Sequence, residues 1–355
     1  MAVDPHDMGD GAEDQREGIL VGCGNPLLDI SASVPMDFLK KYEMNEDDAI
    51  LAEERHMPIY RELVDGFQAE FLAGGSVQNS LRIAQWILGQ PKVAVFFGCV
   101  GEDEYADILM EKARSAGLDV HYQIKKDVPT GTCAVLITGT HRSLCANLAA
   151  ANNFTIDHLD QPHNKTLVEN ALYYYISGFF LTVNPPSIMQ VAATALAKQR
   201  PFLMNLSAPF ISQFYMAPLL AVMPYVDIIF GNEAEAHAFA TAQGWPTEDL
   251  REIGKRLVAL DKLNPARPRI AILTQGCDPV LLIQRDSVEE FPVTRLAVHE
   301  IVDTNGAGDA FVGGFLSQFV QGKSLDVCIR CGNYAAGHII KNPGCTYTGE
   351  PQFVE

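Results

Sequence analysis

Strand-sized apolar segments alternate with helical stretches along most of this chain. That alternation restricts the possible folds more than any other feature of the sequence. The first segment, Ile19-Leu20-Val21, runs into Gly22-Cys23-Gly24. Lys92 to Val100, Leu172 to Ile176, Pro201 to Leu206, Val226 to Phe230 and Arg269 to Thr274 read as further buried strands. Between them lie helical stretches: Val77 to Leu88, Tyr105 to Ala116 ended by Gly117, Ser187 to Lys198, Ile211 to Val222, Asn232 to Gln243 and Thr247 to Leu260. The β-α-β-α order predicts an α/β fold with a parallel sheet covered by helices on both faces. Such sheets bind ligands beyond the carboxyl ends of their strands. Two regions break the pattern, Ile30 to Gly75 and Thr130 to Ala151. Both are expected to leave the main sheet and pack together as a smaller lid.

Charge narrows the partners. The chain of 355 residues carries 26 Lys and Arg against 44 Asp and Glu, a net charge of −18. A field of that sign repels phosphate backbones and anionic lipid, so neither nucleic acid nor a membrane is expected as a partner. The apolar runs, such as Val93 to Phe97, fall far short of the roughly 18 residues a membrane span needs. Residues 1–18 are acidic and polar, without a hydrophobic signal region or a basic nuclear signal, and are expected to form a flexible tail. With no secretory signal, the eight scattered cysteines imply a reduced, cytoplasmic chain. The chain is expected to work as a monomer.

The strongest local signal is Asp303-Thr304-Asn305-Gly306-Ala307-Gly308-Asp309, which joins Ile301-Val302 to an apolar helical stripe beginning at Phe311. A glycine turn at a helix N-terminus lets backbone N–H groups point at an anion, and the helix dipole adds positive potential. Asp309 lies in the first helical turn. There it is either a capping residue or a general base that takes a proton from a hydroxyl attacking a phosphate. Asn232 and Glu235, three apart after the strand ending Phe230-Gly231, suit both a capping box and a hydrated Mg²⁺, and the two roles are compatible. Gly74-Gly75-Ser76-Val77-Gln78-Asn79 reads as a capped turn or as a hinge where a ligand approaches the backbone. Asn25 and Asp29 read as a polar turn or as acceptors for paired hydroxyls. Three look-alikes are set aside. Ser317 to Ser324 mimics a Walker phosphate loop but lacks its first glycine and continues a helix. Cys328 and Cys331 have redox spacing without a second pair. Gly22-Cys23-Gly24 lacks the third glycine of a dinucleotide site.

Taken together, these segments resemble the ribokinase-like (PfkB) family of carbohydrate and nucleoside kinases. Its C-terminal signature matches Asp303 to Gly314, and its N-terminal signature matches Ala73 to Asn79. Gly24 to Ile30, Arg142 to Asn152 and Asn205 to Phe210 extend the likeness to roughly residues 19–351 and place it nearest the members that act on adenosine. The resemblance implies a three-layer α/β/α fold with a mainly parallel central sheet. Residues 19–29, 76–129 and 152–355 would form the large nucleotide-binding domain, and residues 30–75 and 130–151 the lid.

The activity it implies is Mg²⁺-dependent transfer of the ATP γ-phosphoryl group to the adenosine 5′-hydroxyl, a purine-salvage step, with a requirement for a monovalent cation left open. Asp309 falls on the catalytic base, and Asn305, Gly306, Ala307 and Gly308 on the anion hole. Asn232 and Glu235 fall on the motif that organises Mg²⁺, held mainly through water and ATP phosphates. Asn25, Asp29, Gly75, Ser76 and Asn79 fall on substrate positions around the ribose. Leu27, Leu51, Cys133, Leu144, Ala146, Leu148 and Phe180 fall on the adenine pocket, flanked by Phe210. Their apolar character suits a flat heterocycle better than a polar hexose. Arg142 would bring a lid charge to the transferring phosphate. The alternatives are a ribokinase-like kinase for a sugar or another nucleoside, and a nucleoside-binding regulator without turnover.

Overall fold

Val21, Val95, Tyr174, Leu203, Ile229 and Ala271 have no exposed surface, and each lies on a parallel strand of one sheet. The computed structural model describes residues 17–139 and 141–355, so the expected acidic tail lies almost wholly outside the described residues. In chain order the strands are β1 Leu20–Cys23, β2 Leu27–Ser33, β3 Ala49–Leu51, β4 Glu70–Gly74, β5 Ala94–Gly101, β6 Asp119–Lys125, β7 Thr132–Thr138, β8 His141–Asn147, β9 Tyr173–Ser177, β10 Phe202–Asn205, β11 Ile228–Asn232, β12 Ile270–Gln275, β13 Asp278–Ile283 and β14 Val288–Phe291.

The large sheet runs β14-β13-β12-β11-β10-β9-β1-β5-β6. It is parallel from β6 to β12, and the β13–β14 hairpin closes one edge antiparallel. Successive side chains leave a strand on opposite faces. On one face Val21 and Cys23 belong to an apolar core that also takes in helices Pro185–Ala197, Glu233–Ala242 and Leu250–Ala259. On the other, Leu20 belongs to a core shared with helices Ser76–Leu88, Glu104–Ser115, Ala307–Phe319 and Leu325–Ile339. The result is the three-layer α/β/α architecture. No described helix is long and apolar enough to cross a membrane.

The smaller sheet, β3-β8-β7-β2-β4, is assembled from the two regions that break the alternation. Residue 29, the expected end of the first large-sheet segment, falls inside β2. That strand pairs with β4 from Leu27↔Gly74 onward, so the chain has already changed sheets at Leu27. Alternation gives the small sheet two apolar faces. Ile30, Ala134, Leu136 and Cys145 pack outward under Phe38, Leu39, Ile59 and Leu63. Leu27, Cys133, Val135, Leu144, Ala146 and Leu148 gather on the inner side.

One expected helix differs. Ile211 to Val222 is two helices, Pro209–Phe214 and Met216–Val222, broken at Tyr215. Pro218 explains the break, because inside a continuous helix its ring would strike the carbonyl of Phe214.

Helix Ala307–Phe319 is gripped from two sides through adjacent glycines. A Cβ on Gly313 would stand 2.5 Å from the Ser80 carbonyl oxygen, and one on Gly314 would stand 2.5 Å from that of Cys331. Gly313→Ala should therefore force helices Ser76–Leu88 and Ala307–Phe319 apart, destabilising the protein by about 1–3 kcal/mol. Thermal unfolding reads this as a lowered midpoint, and an unchanged midpoint would disprove so close an approach.

Candidate active site

At the carboxyl ends of β1, β9, β10 and β11, roofed by the small sheet, lies a cavity of about 450 Å³. It is lined by every residue expected from the sequence except Phe180. The inner face of the small sheet supplies an apolar slot: Leu27, Cys133, Leu144, Ala146 and Leu148, with Ile50 and Leu51 at its edge. Phe179 and Phe210 face each other across the opposite side, with ring centroids 6.0 Å apart. Phe180 is turned away, fully buried and edge-on to Phe154 at 5.4 Å. The reason is local: Gly178–Thr182 is a 3₁₀ turn, in which residues three apart share a side. Phe179 and Thr182 therefore face the cavity, and Phe180 enters the core.

Hydroxyl acceptors line the cavity floor. Asp29 shares a face of β2 with Leu27 and is 7% exposed. Burial is the main reason its carboxyl is pushed up to about 8, followed by repulsion from Asp309 and Asp303 and opposed by Arg82. The side-chain oxygens of Asn25 and Asn79 are buried, and no described group donates to either. The Asn79 amide is oriented unambiguously, because its Nδ2 donates to the Asp309 carboxylate at 3.1 Å. Its oxygen therefore remains a free acceptor.

The glycine turn and Asp309 form the opposite end. Gly306 caps helix Ala307–Phe319 with φ 78°, and a Cβ there would stand 2.7 Å from the Cβ of Cys345. The residue thus has both a backbone and a steric reason to be glycine. The backbone of Asn305, Gly306, Ala307 and Gly308 borders the cavity at a helix N-terminus. The N-cap is Gly306 and not Asp309, whose carboxylate bonds to the neighbouring helix instead. Its Oδ1 accepts from Ser76 Oγ at 2.6 Å and its Oδ2 from Asn79. Loss of water contact raises it to about 6, while the Ser76 and Asn79 hydrogen bonds pull it down.

Asn232 and Glu235 do form the capping box. Asn232 Oδ1 accepts from the Glu235 N–H at 2.8 Å, and Glu235 Oε2 accepts from the Asn232 N–H at 3.0 Å. Glu235 Oε1 accepts from Asn232 Nδ2 at 2.9 Å. Burial lifts Glu235 to about 7. With both oxygens engaged, Glu235 fits a divalent cation that takes most of its ligands from water and phosphate. No group of three or more His, Cys, Asp or Glu among the described residues is arranged to hold a metal ion by itself.

Arg142 reaches the cavity wall, but its guanidinium is committed elsewhere. Nε donates to Asp303 Oδ1 at 2.8 Å and Nη2 to the Val302 carbonyl at 2.6 Å. Asp303 also accepts the N–H groups of Asn305 and Gly344. Both side chains are enclosed, at 9% and 2% exposure. The pair ties β8 of the small sheet to the glycine turn. Asp47, Ser177, Asn205 and Ser207 also line the cavity without having been expected there. Of these, Asn205 and Ser207 lay in a segment already marked by its resemblance. The look-alikes are inert: burial pushes the Cys328 and Cys331 thiols up to about 12 and about 11, and Ser317 lies inside a helix.

The match to the pfkB family carbohydrate kinases spans residues 41–352, and the chain belongs to that family. Its members are phosphotransferases with an alcohol acceptor. Within the family it is adenosine kinases that this chain resembles over nearly its whole length. It is 47% identical to adenosine kinase 2 of Arabidopsis thaliana over 337 residues, 95% of this chain and 98% of the relative. Adenosine kinase of Anopheles gambiae, solved in complex with P1,P4-di(adenosine-5) tetraphosphate, superposes with a TM-score of 0.93 at 60% identity, covering 95% of this chain and 99% of that one. The Schistosoma mansoni enzyme with 2-fluoroadenosine gives 0.90 at 33% identity, covering 94% and 98%.

Removing one partner from a buried ion pair costs about 3–5 kcal/mol. Arg142→Ala should therefore speed amide hydrogen exchange in residues 137–143 and 302–305 and leave β9–β11 unchanged. Equal protection in variant and parent would show that the tie carries no load.

Proposed function

We propose that the chain transfers the γ-phosphoryl group of ATP to the 5′-hydroxyl of adenosine, giving ADP and AMP. The observation that carries this reading is a single cavity with three chemically different parts. It has an apolar slot for a flat heterocycle, buried acceptors for hydroxyl donors, and a carboxylate beside a nest of backbone amides. The nucleobase lies between the small-sheet slot and the Phe179–Phe210 side. Asp29 and the Asn25 and Asn79 oxygens accept from the ribose hydroxyls. Asp309, held near pH 6 by its surroundings, is ionised at neutral pH and takes the proton of the 5′-hydroxyl as it attacks. The amides of residues 305–308 stabilise charge on the transferring phosphoryl group. Mg²⁺, when bound with ATP beside Glu235, neutralises phosphate charge. The small sheet acts as the lid, and its closure excludes water. A sugar or regulator reading is weaker, because a hexose has no use for the apolar slot and binding alone has no use for a base.

Comparison of kcat/KM for adenosine, inosine, guanosine, ribose and fructose tests the acceptor, and a preference for a sugar would overturn the assignment. Asp309→Asn is expected to bind adenosine yet lose about 10²–10⁴-fold in turnover. Near-normal kcat would remove Asp309 from the role of base.

Adenosine binding should also release protons. Asp29 is largely protonated below about pH 8, and hydroxyl donors favour its ionised form. Its pKa therefore falls on binding, and a proton leaves at pH values between the bound and free pKa. Calorimetry near pH 7 in buffers of different ionisation enthalpy measures this release, and a buffer-independent heat would contradict it.

A further inference from the structure

The first turn of helix Ser76–Leu88 does more than border the ribose. Ser76 Oγ and Asn79 Nδ2, three residues apart and hence on one face of the helix, donate to the two oxygens of Asp309 at 2.6 and 3.1 Å. These distances are fixed by the backbone, since the two helices touch at Gly313 and Ser80 four residues further along each. Ser76 itself is anchored, because Ser80 Oγ donates to its carbonyl at 3.1 Å. The hydroxyl proton of Ser76 is given to Asp309.

Resting on the proposed role of Asp309 as base, we propose that Ser76 is a positioning residue for that base: its hydroxyl holds the carboxylate ionised and aimed at the reacting oxygen. A carboxylate oxygen accepts two hydrogen bonds. Each Asp309 oxygen therefore keeps one acceptor position for the 5′-hydroxyl while Ser76 and Asn79 hold the other. Apart from the positive end of its own helix, burial works against the charge. Asp29 on β2 and Glu235 after β11 share the cavity, and the charge of Asp309 is among the causes that raise each of them, as it is for Tyr175 on β9 and for Cys345. From the helices packed alongside, Arg82 turns its guanidinium to the Ala73 carbonyl, and Cys331 lies against Ser317 two turns away. Only Ser76 and Asn79 touch the carboxylate itself in a sense that favours ionisation. Ser76 also directly follows Gly74–Gly75, where the chain passes from β4 of the small sheet into this helix. The base is thereby tied to the point where lid and body meet.

The test is the pH dependence of kcat/KM for adenosine in the parent, Ser76→Ala and Ser76→Thr, with Asp309→Asn alongside. The acid limb of kcat/KM reports the free enzyme's ionising groups, here Asp29 and Asp309; Asp29 is common to parent and variants, so a difference between their profiles belongs to Asp309. A hydrogen bond to a charged group is worth about one pH unit or more. Ser76→Ala should move the Asp309 contribution to higher pH, so that kcat/KM at pH 6, scaled to the alkaline plateau, falls about fivefold below the parent's. Ser76→Thr, which keeps a hydroxyl, should restore it. The ¹³C carboxyl titration of Asp309, assigned by its loss in Asp309→Asn, should show the same displacement without turnover. A limb and titration unmoved in Ser76→Ala, with Asp309→Asn inactive, would overturn the role of Ser76 and leave the base in place. An active Asp309→Asn would overturn the base, and this proposal with it.

Discussion

The contact between helices Ser76–Leu88 and Ala307–Phe319 governs the rest of the site. Both helices start at the mouth of the large sheet, both open on a glycine turn, and both put a polar first turn into one cavity. Gly313 removes the side chain that would hold them apart, and Gly314 does the same toward helix Leu325–Ile339. Packing at this density leaves little room for lateral movement. The Asp309 carboxylate meets Ser76 and Asn79 because the backbones leave it nowhere else to go.

Upon that scaffold the protein gathers negative charge where electrostatics alone would disperse it. Asp29, Glu235 and Asp309 share one cavity, and each has a raised pKa with loss of water as the first cause. A chain of net charge −18 offers these groups little long-range relief. Local devices compensate: the capping box around Glu235, the two donors on Asp309, and the amide nest at the helix mouth.

Much of this was legible in the sequence, and the limits were physical. Buried parallel strands announce themselves as continuous apolar runs, so β1, β5, β9, β10, β11 and β12 were visible within two residues at either end. Strand β14, with exposed Glu289 and Glu290, is too polar to stand out, whereas β13 carries the buried apolar run Val280 to Ile283 and was passed over because it lies outside the strand–helix alternation, as the second strand of a hairpin. Phe179 was mistaken for Phe180 because a 3₁₀ turn and an α-turn direct neighbouring side chains differently, and composition does not separate them. The Arg142–Asp303 pair spans 161 residues, and the Ser76–Asp309 bond spans 233. No local spacing encodes either one. Each becomes apparent only when the two sheets and the two helices are in place.

The order of the elements has a consequence for how the molecule is made. All five strands of the small sheet are complete at Asn147, whereas the turn bearing Asp309 comes after the last strand of the large sheet. Chains emerging from the ribosome fold from their N-terminal side first. The apolar slot can therefore take shape while the glycine turn is still being translated. A nascent chain interrupted before residue 303 would contain both walls of the slot and no chemistry at all.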